Sequence, residues 1–380
     1  MSGGIDDLRA VLEAVHIDSP TCYRIDGVAR EVPAPEQVDD VLAVPLVQQL
    51  EREMYSTQYC QWATAERRGP DELGDRELVH ALSAANAGQG TWEPGWIVAG
   101  PEEDGRIPMR KDGLTLWAQP NQVRNRGLDA QGRGPGRRPG TPSRVRVGKE
   151  LREIMQGFYF AIGDGDETEE RDADEKMVRL YWHVDRDGAA DLIRVITTSL
   201  NPMRVPFRAK VVNFSAGYPR CDAGVLYLDR RYFPRVASVL PRMHAELAER
   251  LGAEVPRFTK PLGPGLGLAE DPENDESFGQ HRCRLVVAAL WAAFRDGVEE
   301  AARLGRVCRA FERVGLDPAH PYLQPGSQDD YGTIAGGIEF AGDSTPIRGG
   351  GAARSRPRIT DDQRARKKQE RRCRKASRRK

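Results

Sequence analysis

The strongest constraint on the fold is a strict alternation of apolar and polar residues over residues 178–184, the last seven residues of the segment KMVRLYWHV. Successive side chains of a β-strand point to opposite faces of the sheet. The segment therefore predicts a strand with one face made only of Val, Leu and Trp. The other face carries Arg179, Tyr181 and His183, which are three functional residue types.

Two later segments carry polar residues in the same alternating way. VPFRAKVV puts Arg208 and Lys210 on one face, and YPRCDAGVLYL puts Arg220, Asp222 and Gly224 in phase. If the three strands are neighbours, one face collects more positive charge than a structural surface leaves unpaired. Guanidinium groups match the oxygens of phosphate, so a bound phosphate is the expected counterion. The alternative is a solvated strand face, because charge clusters also arise structurally.

The surrounding segments predict an α+β fold, with helices packed on a mainly antiparallel sheet. GAADLIRVITTSLN is predicted to be a helix and AGVLYL a strand; a helix over residues 231–252 follows. Residues 260–276 form a predicted Gly/Pro-rich loop, and a long helical region begins at Ser277. This order lacks the regular alternation of strand and helix that a parallel sheet requires.

Three regions are predicted along the chain. Residues 1–88 form an N-terminal helical region, because apolar residues recur there at helical spacing up to about residue 85. Residues 89–325 form the α+β domain, in which KELREIM is predicted to be a short helix leading into the strand GFYFAIGD. Residues 326–380 form a flexible basic tail.

The tail has fifteen Lys/Arg against three Asp/Glu between Ser344 and Lys380, and almost no apolar residues. Such a segment is predicted to be disordered. A solvated terminus is the simpler interpretation, and an electrostatic arm for nucleic acid or an acidic peptide is the alternative. The body of the chain carries no motif typical of nucleic-acid binding.

Composition narrows the class of protein. Hydrophobic residues make up 39% and charged residues 30% of the chain, and no apolar run is long enough to span a bilayer. The six cysteines are scattered without a CxxC pair. These features predict a cytoplasmic protein with no membrane partner, no disulfide framework and no zinc site.

The residue types on the polar face suit the elimination of phosphate from a phosphorylated side chain. A lysine such as Lys210 acts as base when its pKa falls from about 10.4 toward neutrality, and Arg208 and Arg220 are the cations expected to lower it. His183, held protonated by the phosphate, is the expected acid for the leaving oxygen. This chemistry needs no metal or organic cofactor.

The remaining candidates complete this predicted site. Arg179 and Arg220 are expected to hold the phosphate, with Arg208 beside them, and Tyr181 to steady the enolate-like intermediate. Asp222 either orients one of these cations or is a structural ion-pair partner.

The Gly-rich segment 260–282 contains neither a P-loop ending nor a dinucleotide-binding fingerprint, which argues against a nucleotide site. Ser277 is predicted to cap the helix that begins at Phe278. Arg282 then lies in the first turns of that helix, where it is a candidate to reach an anion. A plain surface loop followed by a capped helix explains the same residues equally well.

At these residues the sequence resembles the HopA-type family of type III effector-like proteins. The resemblance is carried, over about residues 90 to 325, by GFYFAIGD, VRLYWHV, LNPMRVPFRAKV, YPRCDAGVLY, TKPLGPGLGLAEDP and SFGQHRCRLV. Biosynthetic members of the family are stand-alone phosphoserine/phosphothreonine lyases of class V lanthipeptide and thioamitide biosynthesis. The resemblance implies elimination on a precursor peptide after a separate kinase has acted, with a cyclase as a further partner.

More distant relatives, the phosphothreonine lyases of pathogenic bacteria, use a strand with a basic residue, a spacer and a His, and a second strand with a basic residue, a spacer and a Lys. These patterns map onto Tyr181-x-His183 and Arg208-x-Lys210. The tyrosine departs from the first pattern, which leaves the carbonyl-stabilising role to Tyr181 or to Arg179.

Two other functions fit the same face. One is a non-catalytic effector-like module that binds a leader peptide or phosphopeptide, because arginine clusters recognise phosphate without chemistry. The other is a toxin or effector that acts on host signalling proteins. Lys210→Arg separates a binder from a lyase, because binding needs only the charge.

Overall fold

The computed structural model describes residues 4–34, 40–62, 74–111, 113–125, 138–152, 154–166, 176–272 and 276–334. In these ranges the helices are α1 (Gly4–Ala14), α2 (Pro45–Met54), α3 (Arg76–Ala85), α4 (Ala189–Leu200), α5 (Phe233–Ala237), α6 (Leu240–Leu247), α7 (Phe278–Arg295) and α8 (Glu300–Arg313). The first nine strands are β1 (Val15–Ser19), β2 (Cys22–Ile25), β3 (Val28–Glu31), β4 (Thr91–Val98), β5 (Ile107–Lys111), β6 (Leu114–Ala118), β7 (Val123–Asn125), β8 (Pro142–Val147) and β9 (Glu150–Leu151). The others are β10 (Phe158–Ile162), β11 (Met177–Trp182), β12 (Arg208–Val212), β13 (Gly224–Asp229), β14 (Lys260–Gly263) and β15 (Leu266–Glu270).

The central element is a seven-stranded sheet in the order β14-β15-β11-β13-β12-β10-β9. Every neighbouring pair in it is antiparallel. With helices packed on this sheet, the chain has the predicted α+β fold. The strands β11, β13 and β12 lie side by side, so the polar residues of β11 and β12 are brought to a common face.

The opposite face of the sheet is apolar and is covered by helices. Leu180, Trp182 and Leu226 are fully buried, and α4 packs on β12 and on α6. Gly224 lies where α4 comes closest, because a Cβ at this position would meet the side chain of Leu192 at 2.4 Å.

Two smaller sheets lie N-terminal to the central one. β4 to β8 form a five-stranded antiparallel sheet in the order β6-β5-β4-β8-β7, with its own small core around Val98, Met109 and Val145. β1, β2 and β3 form a three-stranded sheet. The prediction of an all-helical region up to residue 85 is therefore wrong between Val15 and Glu31. Its β-branched residues and the turn at Asp26 and Gly27, both with positive φ, favour strands there.

Three local predictions are also wrong. Residues 260–276 are not a plain loop, because β14 and β15 form a hairpin there, with Gly265 at a φ of 64° in its turn. KELREIM contains the short strand β9 instead of a helix. The long helices break because Gly297, also with positive φ, separates α7 from α8, and residues 231–252 contain α5, α6 and 3₁₀ turns.

The predicted boundaries at 88 and 325 do not separate packed units. One hydrophobic cluster contains residues from Leu8 to Tyr331, so the N-terminal helices share a core with the α+β domain. Residues 326–334 pack on the domain as well, since the Ile334 N–H donates to Leu262 O at 2.8 Å. The predicted disordered tail beyond residue 334 lies outside the described residues. Within the described ranges, no helix is long and apolar enough to cross a bilayer.

Candidate functional site

The strand register places the predicted polar residues of β11 and β12 on one face of the central sheet. Arg179 and Arg208 lie opposite Tyr227 of β13 from either side. Tyr181 and Lys210 lie opposite the next residue of β13 on that face, Val225. The condition for a shared polar face, that these strands are neighbours, is therefore met for the residues of β11 and β12.

Lys210 lies at the centre of this face between aromatic rings. Its Nζ is 4.5 Å from the ring centroid of Phe158 and 5.7 Å from that of Tyr227, distances typical of cation–π contacts. Asp222 and Asp271 interact with it electrostatically. In the part of the chain that the structure describes, Nζ makes no hydrogen bond or ion pair, and its amine is therefore available to a ligand.

Arg220 and Asp222 form a buried, bidentate ion pair beside Lys210. Nε and Nη2 of Arg220 donate to the two carboxylate oxygens, the latter at 2.8 Å. The arginine and aspartate side chains are only 10% and 6% exposed. Burial by itself would raise the pKa of Asp222, but the charge and hydrogen bonds of Arg220 and the charge of Lys210 lower it. The carboxylate is thus ionised and firmly held.

The predicted strand phase of this segment is wrong. Gly224 is in β13 and faces α4, whereas Arg220 and Asp222 lie in the turn before the strand. The turn brings them to the polar face, where the Arg220 guanidinium lies 5.9 Å from the ring of Phe158.

Arg179 forms a second ion pair, with Asp271. Asp271 directly follows β15, and its N–H donates to Met177 O at 2.8 Å, which fixes it beside the first residue of β11. Burial raises the pKa of the Asp271 carboxyl, although the charges of Arg179 and Lys210 act to lower it. Asp271 was not among the predicted site residues, because it lies in a segment that was predicted to be a loop.

A wall of aromatic residues from the N-terminal region also lines the site. After α2 the chain makes a π-helical turn, Tyr55–Tyr59. The rings of Tyr55 and Tyr59 stack at 5.2 Å, and Tyr59 meets Tyr181 edge-on at 6.4 Å. The Tyr55 hydroxyl donates to Asp222 at 3.4 Å. Burial raises the pKa of Tyr59 and Tyr181 well above the usual range, so both hydroxyls stay protonated.

Tyr55 and Tyr59 were not among the predicted site residues either. The only signal was the aromatic-rich run YSTQYCQW, which helical spacing alone assigns to an ordinary core.

Arg208 lies at the margin of the site. Its side chain is 45% exposed, and Nη2 donates to Glu93 Oε1 of β4 at 2.6 Å. Glu93 also accepts hydrogen bonds from Lys111 Nζ and Trp96 Nε1, each at 2.9 Å. Arg208 therefore links the central sheet to the five-stranded sheet, beside a cleft lined by Thr91, Phe207 and their neighbours.

His183 lies just beyond the end of β11 and packs against residues 252–254. Its Nδ1 is 3.1 Å from Glu254 O and 3.6 Å from a carboxylate oxygen of the same residue. A Cβ at Gly252 would meet the imidazole ring at 2.4 Å. The ring is therefore held at one edge of the polar face, and its contacts are with this segment.

Arg282 anchors α7 to the segment that follows α8. It is fully buried; Nε donates to Pro321 O at 2.7 Å and Nη2 to Leu323 O at 3.1 Å. Burial lowers its pKa to about 10. The predicted cap of α7 is confirmed, since Ser277 Oγ accepts from Gln280 N at 3.3 Å. The predicted contact of Arg282 with an anion competes with these two carbonyl bonds.

In the described ranges, no group of three or more His, Cys, Asp or Glu side chains is arranged to hold a metal ion.

Comparison with known proteins gives a family for the region that contains the site. Residues 152–323 match the HopA1 effector protein family. The solved structure of the effector protein from Pseudomonas syringae pv. tomato strain DC3000 is 16% identical with a TM-score of 0.38, covering 73% of this chain and 98% of that chain. The solved structure of the effector protein from Pseudomonas syringae pv. syringae strain 61 is 14% identical with a TM-score of 0.38, covering 73% of this chain and 96% of that chain.

No curated protein matches the chain. The matched region contains β10 to β15 and α7, and with them Arg179, Tyr181, Lys210, Arg220 and Asp271. Tyr59 and Glu93 lie outside it. Over residues 152–323, the chain is similar to the HopA1 effector protein family.

Proposed function

We propose that the protein is a phosphoserine/phosphothreonine lyase that eliminates phosphate from a precursor peptide and leaves dehydroalanine or dehydrobutyrine. The observation that carries the proposal is Lys210, an amine without a hydrogen bond or ion pair in the described ranges, on a face with two buried arginines. A lysine in that setting is able to take a proton while neighbouring guanidinium groups neutralise a phosphate.

In the proposed reaction, the unprotonated Nζ of Lys210 removes the α-proton of the phosphorylated residue. The electron pair of that C–H bond forms the Cα=Cβ double bond, and the Cβ–O bond breaks with its electrons leaving on phosphate. Arg179 is the proposed phosphate ligand, with Arg220 and Arg208 as the flanking cations. Tyr181 or Arg179 stabilises the carbonyl oxygen on which negative charge develops.

His183 is proposed as the acid that protonates the leaving oxygen. For this role the imidazole has to turn from Glu254 toward the substrate, because its Nδ1 lies within hydrogen-bond distance of Glu254 O. The hydrogen bond between Arg220 and Asp222 supports the proposal that Asp222 orients this cation.

The proposed substrate is a precursor peptide phosphorylated by a separate kinase in the cytoplasm, and a separate cyclase is the proposed user of the product. The dehydroamino acid is an electrophile, so a thiol-adding enzyme is the natural next step.

The test is intact-mass analysis of a phosphoserine or phosphothreonine peptide incubated with the wild-type protein, Lys210→Met or Lys210→Arg. We expect the wild type to remove the mass of phosphoric acid and leave a product that an added thiol traps. Both variants are expected to lose activity by about 10²–10⁴-fold, because a general base contributes on that order. Lys210→Arg is the matched control, since it keeps the charge and removes the base.

Two other outcomes would contradict the proposal. A product with its hydroxyl restored would identify a phosphatase. A natural phosphorylated precursor that binds the wild type and keeps its mass would identify a phosphopeptide-binding module. The observation that favours this second function is that the described contacts of the His183 ring nitrogen are with Glu254 and not with the other candidates.

A further inference from the structure

The two arginine–carboxylate pairs of the site differ in their hydrogen bonding. Arg220 and Asp222 share two directed hydrogen bonds. Arg179 and Asp271 are in ion-pair contact, but among the described residues neither Nε of Arg179 nor Oδ1 of Asp271 takes part in a hydrogen bond of normal geometry. Buried polar atoms are usually satisfied, so Arg179 and Asp271 have bonding capacity that they do not use on each other.

The second pair is also the one that solvent reaches. The side chain of Asp271 is 23% exposed, compared with 6% for Asp222. Asp271 can therefore exchange a proton with water, whereas Asp222 is closed in.

The charges around Asp271 come from two strands. Arg179 faces it from β11, with Tyr181 further along the same strand, and Lys210 acts on it from β12. Residues 273–275 lie outside the described part of the chain. Burial already favours the neutral carboxyl, and Arg179 is the nearest charge that opposes it. A dianion bound to Arg179 would remove this opposition and add repulsion.

We propose that Asp271 is a displaceable partner of Arg179: it holds the guanidinium while the site is empty, and it takes up a proton when a phosphate dianion replaces it. The inference rests on the proposed phosphate site and adds a proton balance to it. Binding of the dianion to the ionised pair consumes one proton, which stays on the Asp271 carboxyl.

The probe is a peptide in which a difluoromethylene phosphonate replaces the phosphate of phosphoserine. It keeps the dianion and has no bridging oxygen, so the wild-type protein cannot eliminate it. Calorimetric titration above pH 7, in buffers of different ionisation enthalpy, measures the protons taken up on binding. We expect the wild type to take up about one proton per bound peptide.

Asp271→Asn is expected to bind the probe while taking up about one proton fewer than the wild type, because an uptake at His183, which the phosphate holds protonated in the proposed function, is shared by both proteins. The dissociation constant of the wild type should rise as pH increases, because the competing carboxylate must be protonated. That of Asp271→Asn should rise less steeply, by up to about tenfold less per pH unit. Asp271→Glu keeps a titratable carboxyl and is expected to keep the uptake, which covers the case in which the asparagine variant fails to fold. Asp187→Asn removes an exposed carboxylate elsewhere and is expected to match the wild type.

Three results would overturn the inference: no binding of the probe by the wild type, no proton uptake on binding, or equal uptake by the wild type and a folded Asp271→Asn. The proposed function fails separately. A wild type that takes up the proton with the phosphonate, yet leaves the natural phosphopeptide intact, would refute the lyase and keep the exchange.

Discussion

At the scale of single residues, three carboxylates pair with the arginines of the site and leave Lys210 without an ion pair among the described residues. Asp222 occupies two nitrogens of Arg220, Glu93 occupies Arg208, and Asp271 contacts Arg179. Lys210 is left between them with aromatic faces as its nearest contacts. The arginines of this face are each paired with a carboxylate, so their positive charges do not repel one another without compensation.

Asp222→Asn tests how much the buried pair stabilises the fold. It leaves the Arg220 charge without its partner, so we expect a loss of about 3–5 kcal/mol in the free energy of unfolding at pH 7. The pKa of Asp222 is lowered in the folded protein. The difference should therefore be complete above the unfolded pKa of about 3.9 and shrink as pH falls through the folded value.

Urea denaturation at several pH values measures this difference. Asp187→Asn is the control for an exposed carboxylate, and its effect should stay within about 0.5 kcal/mol. An Asp222→Asn protein as stable as the wild type would mean that the pair contributes nothing net.

Residue roles were predictable only where strand phase alone determines direction. Arg179, Tyr181 and Lys210 fell on the predicted face because period-2 geometry is independent of the rest of the fold. Arg220 reaches the site through a turn, and His183 lies past the end of its strand, where phase no longer fixes direction. Asp271 depended on a hairpin that its glycine-rich sequence concealed.

At the scale of elements, Glu93 joins the five-stranded sheet to the central one. It is 12% exposed and bonds Lys111 and Trp96 of its own sheet and Arg208 of β12. Burial by itself would raise its pKa, but the hydrogen bond and charge of Lys111, with Arg208 and Trp96, lower it. The contact between the two sheets therefore depends on an ionised Glu93 carboxylate.

Glu93→Gln is expected to reduce the free energy of unfolding by about 1–3 kcal/mol at pH 7, because hydrogen bonds to a charged group are lost. Since the folded pKa is lowered, the loss should be complete above the unfolded pKa of about 4.3 and fade as pH falls through the folded value. Thermal unfolding as a function of pH measures it, with Glu13→Gln as an exposed control. An equal loss at acidic and neutral pH would show that the charge is not what matters.

The elements that the sequence predicted correctly are those that a local pattern specifies, and the others depend on contacts between distant parts of the chain. β11 alternates from Val178 to Trp182 and β12 from Arg208 to Val211, and α4 has an apolar face, so the local pattern was sufficient. The hairpin of β14 and β15 contains Gly and Pro, which weaken a strand signal; pairing with β11 specifies it instead. β1 to β3 are strands of four or five residues, too short for their alternation to outweigh the helical spacing around them.

At the scale of the whole molecule, one core unites regions that composition separates. The cluster from Leu8 to Tyr331 contains residues of the N-terminal helices, the central sheet and α8. The wall of Tyr55 and Tyr59 thus reaches the site from outside the matched family region. Such long-range packing leaves no periodic signal in sequence, so the boundaries at 88 and 325 had no local feature that could correct them.

The C-terminal end of this core is a segment, residues 316–334, that closes over the buried carboxylate of Glu270. Glu270 is 0% exposed and accepts from Gln324 N and the Tyr331 hydroxyl at 2.8 Å each and from Ser327 Oγ at 2.5 Å. Arg230 completes its surroundings at 3.1 Å. Burying a carboxylate reduces the free energy of unfolding unless the carboxylate is hydrogen-bonded. We therefore expect residues 316–334, which supply these hydrogen bonds, to be needed for the stability of the central sheet.

Chains that end at residue 340 and at residue 325 test this requirement. The first keeps every contact of Glu270 described above and should melt with the full chain. The second loses Ser327 and Tyr331, and with them two donors to a buried charge, so its melting temperature should fall by about 10 °C or more. Tyr331→Phe in the full chain removes one hydroxyl, so its melting temperature should lie between those of the two shortened chains. We expect it to lose about 1–3 kcal/mol in the free energy of unfolding. Equal melting of the two shortened chains would show that the sheet tolerates Glu270 uncovered, and that the predicted boundary at 325 is the physical end of the domain.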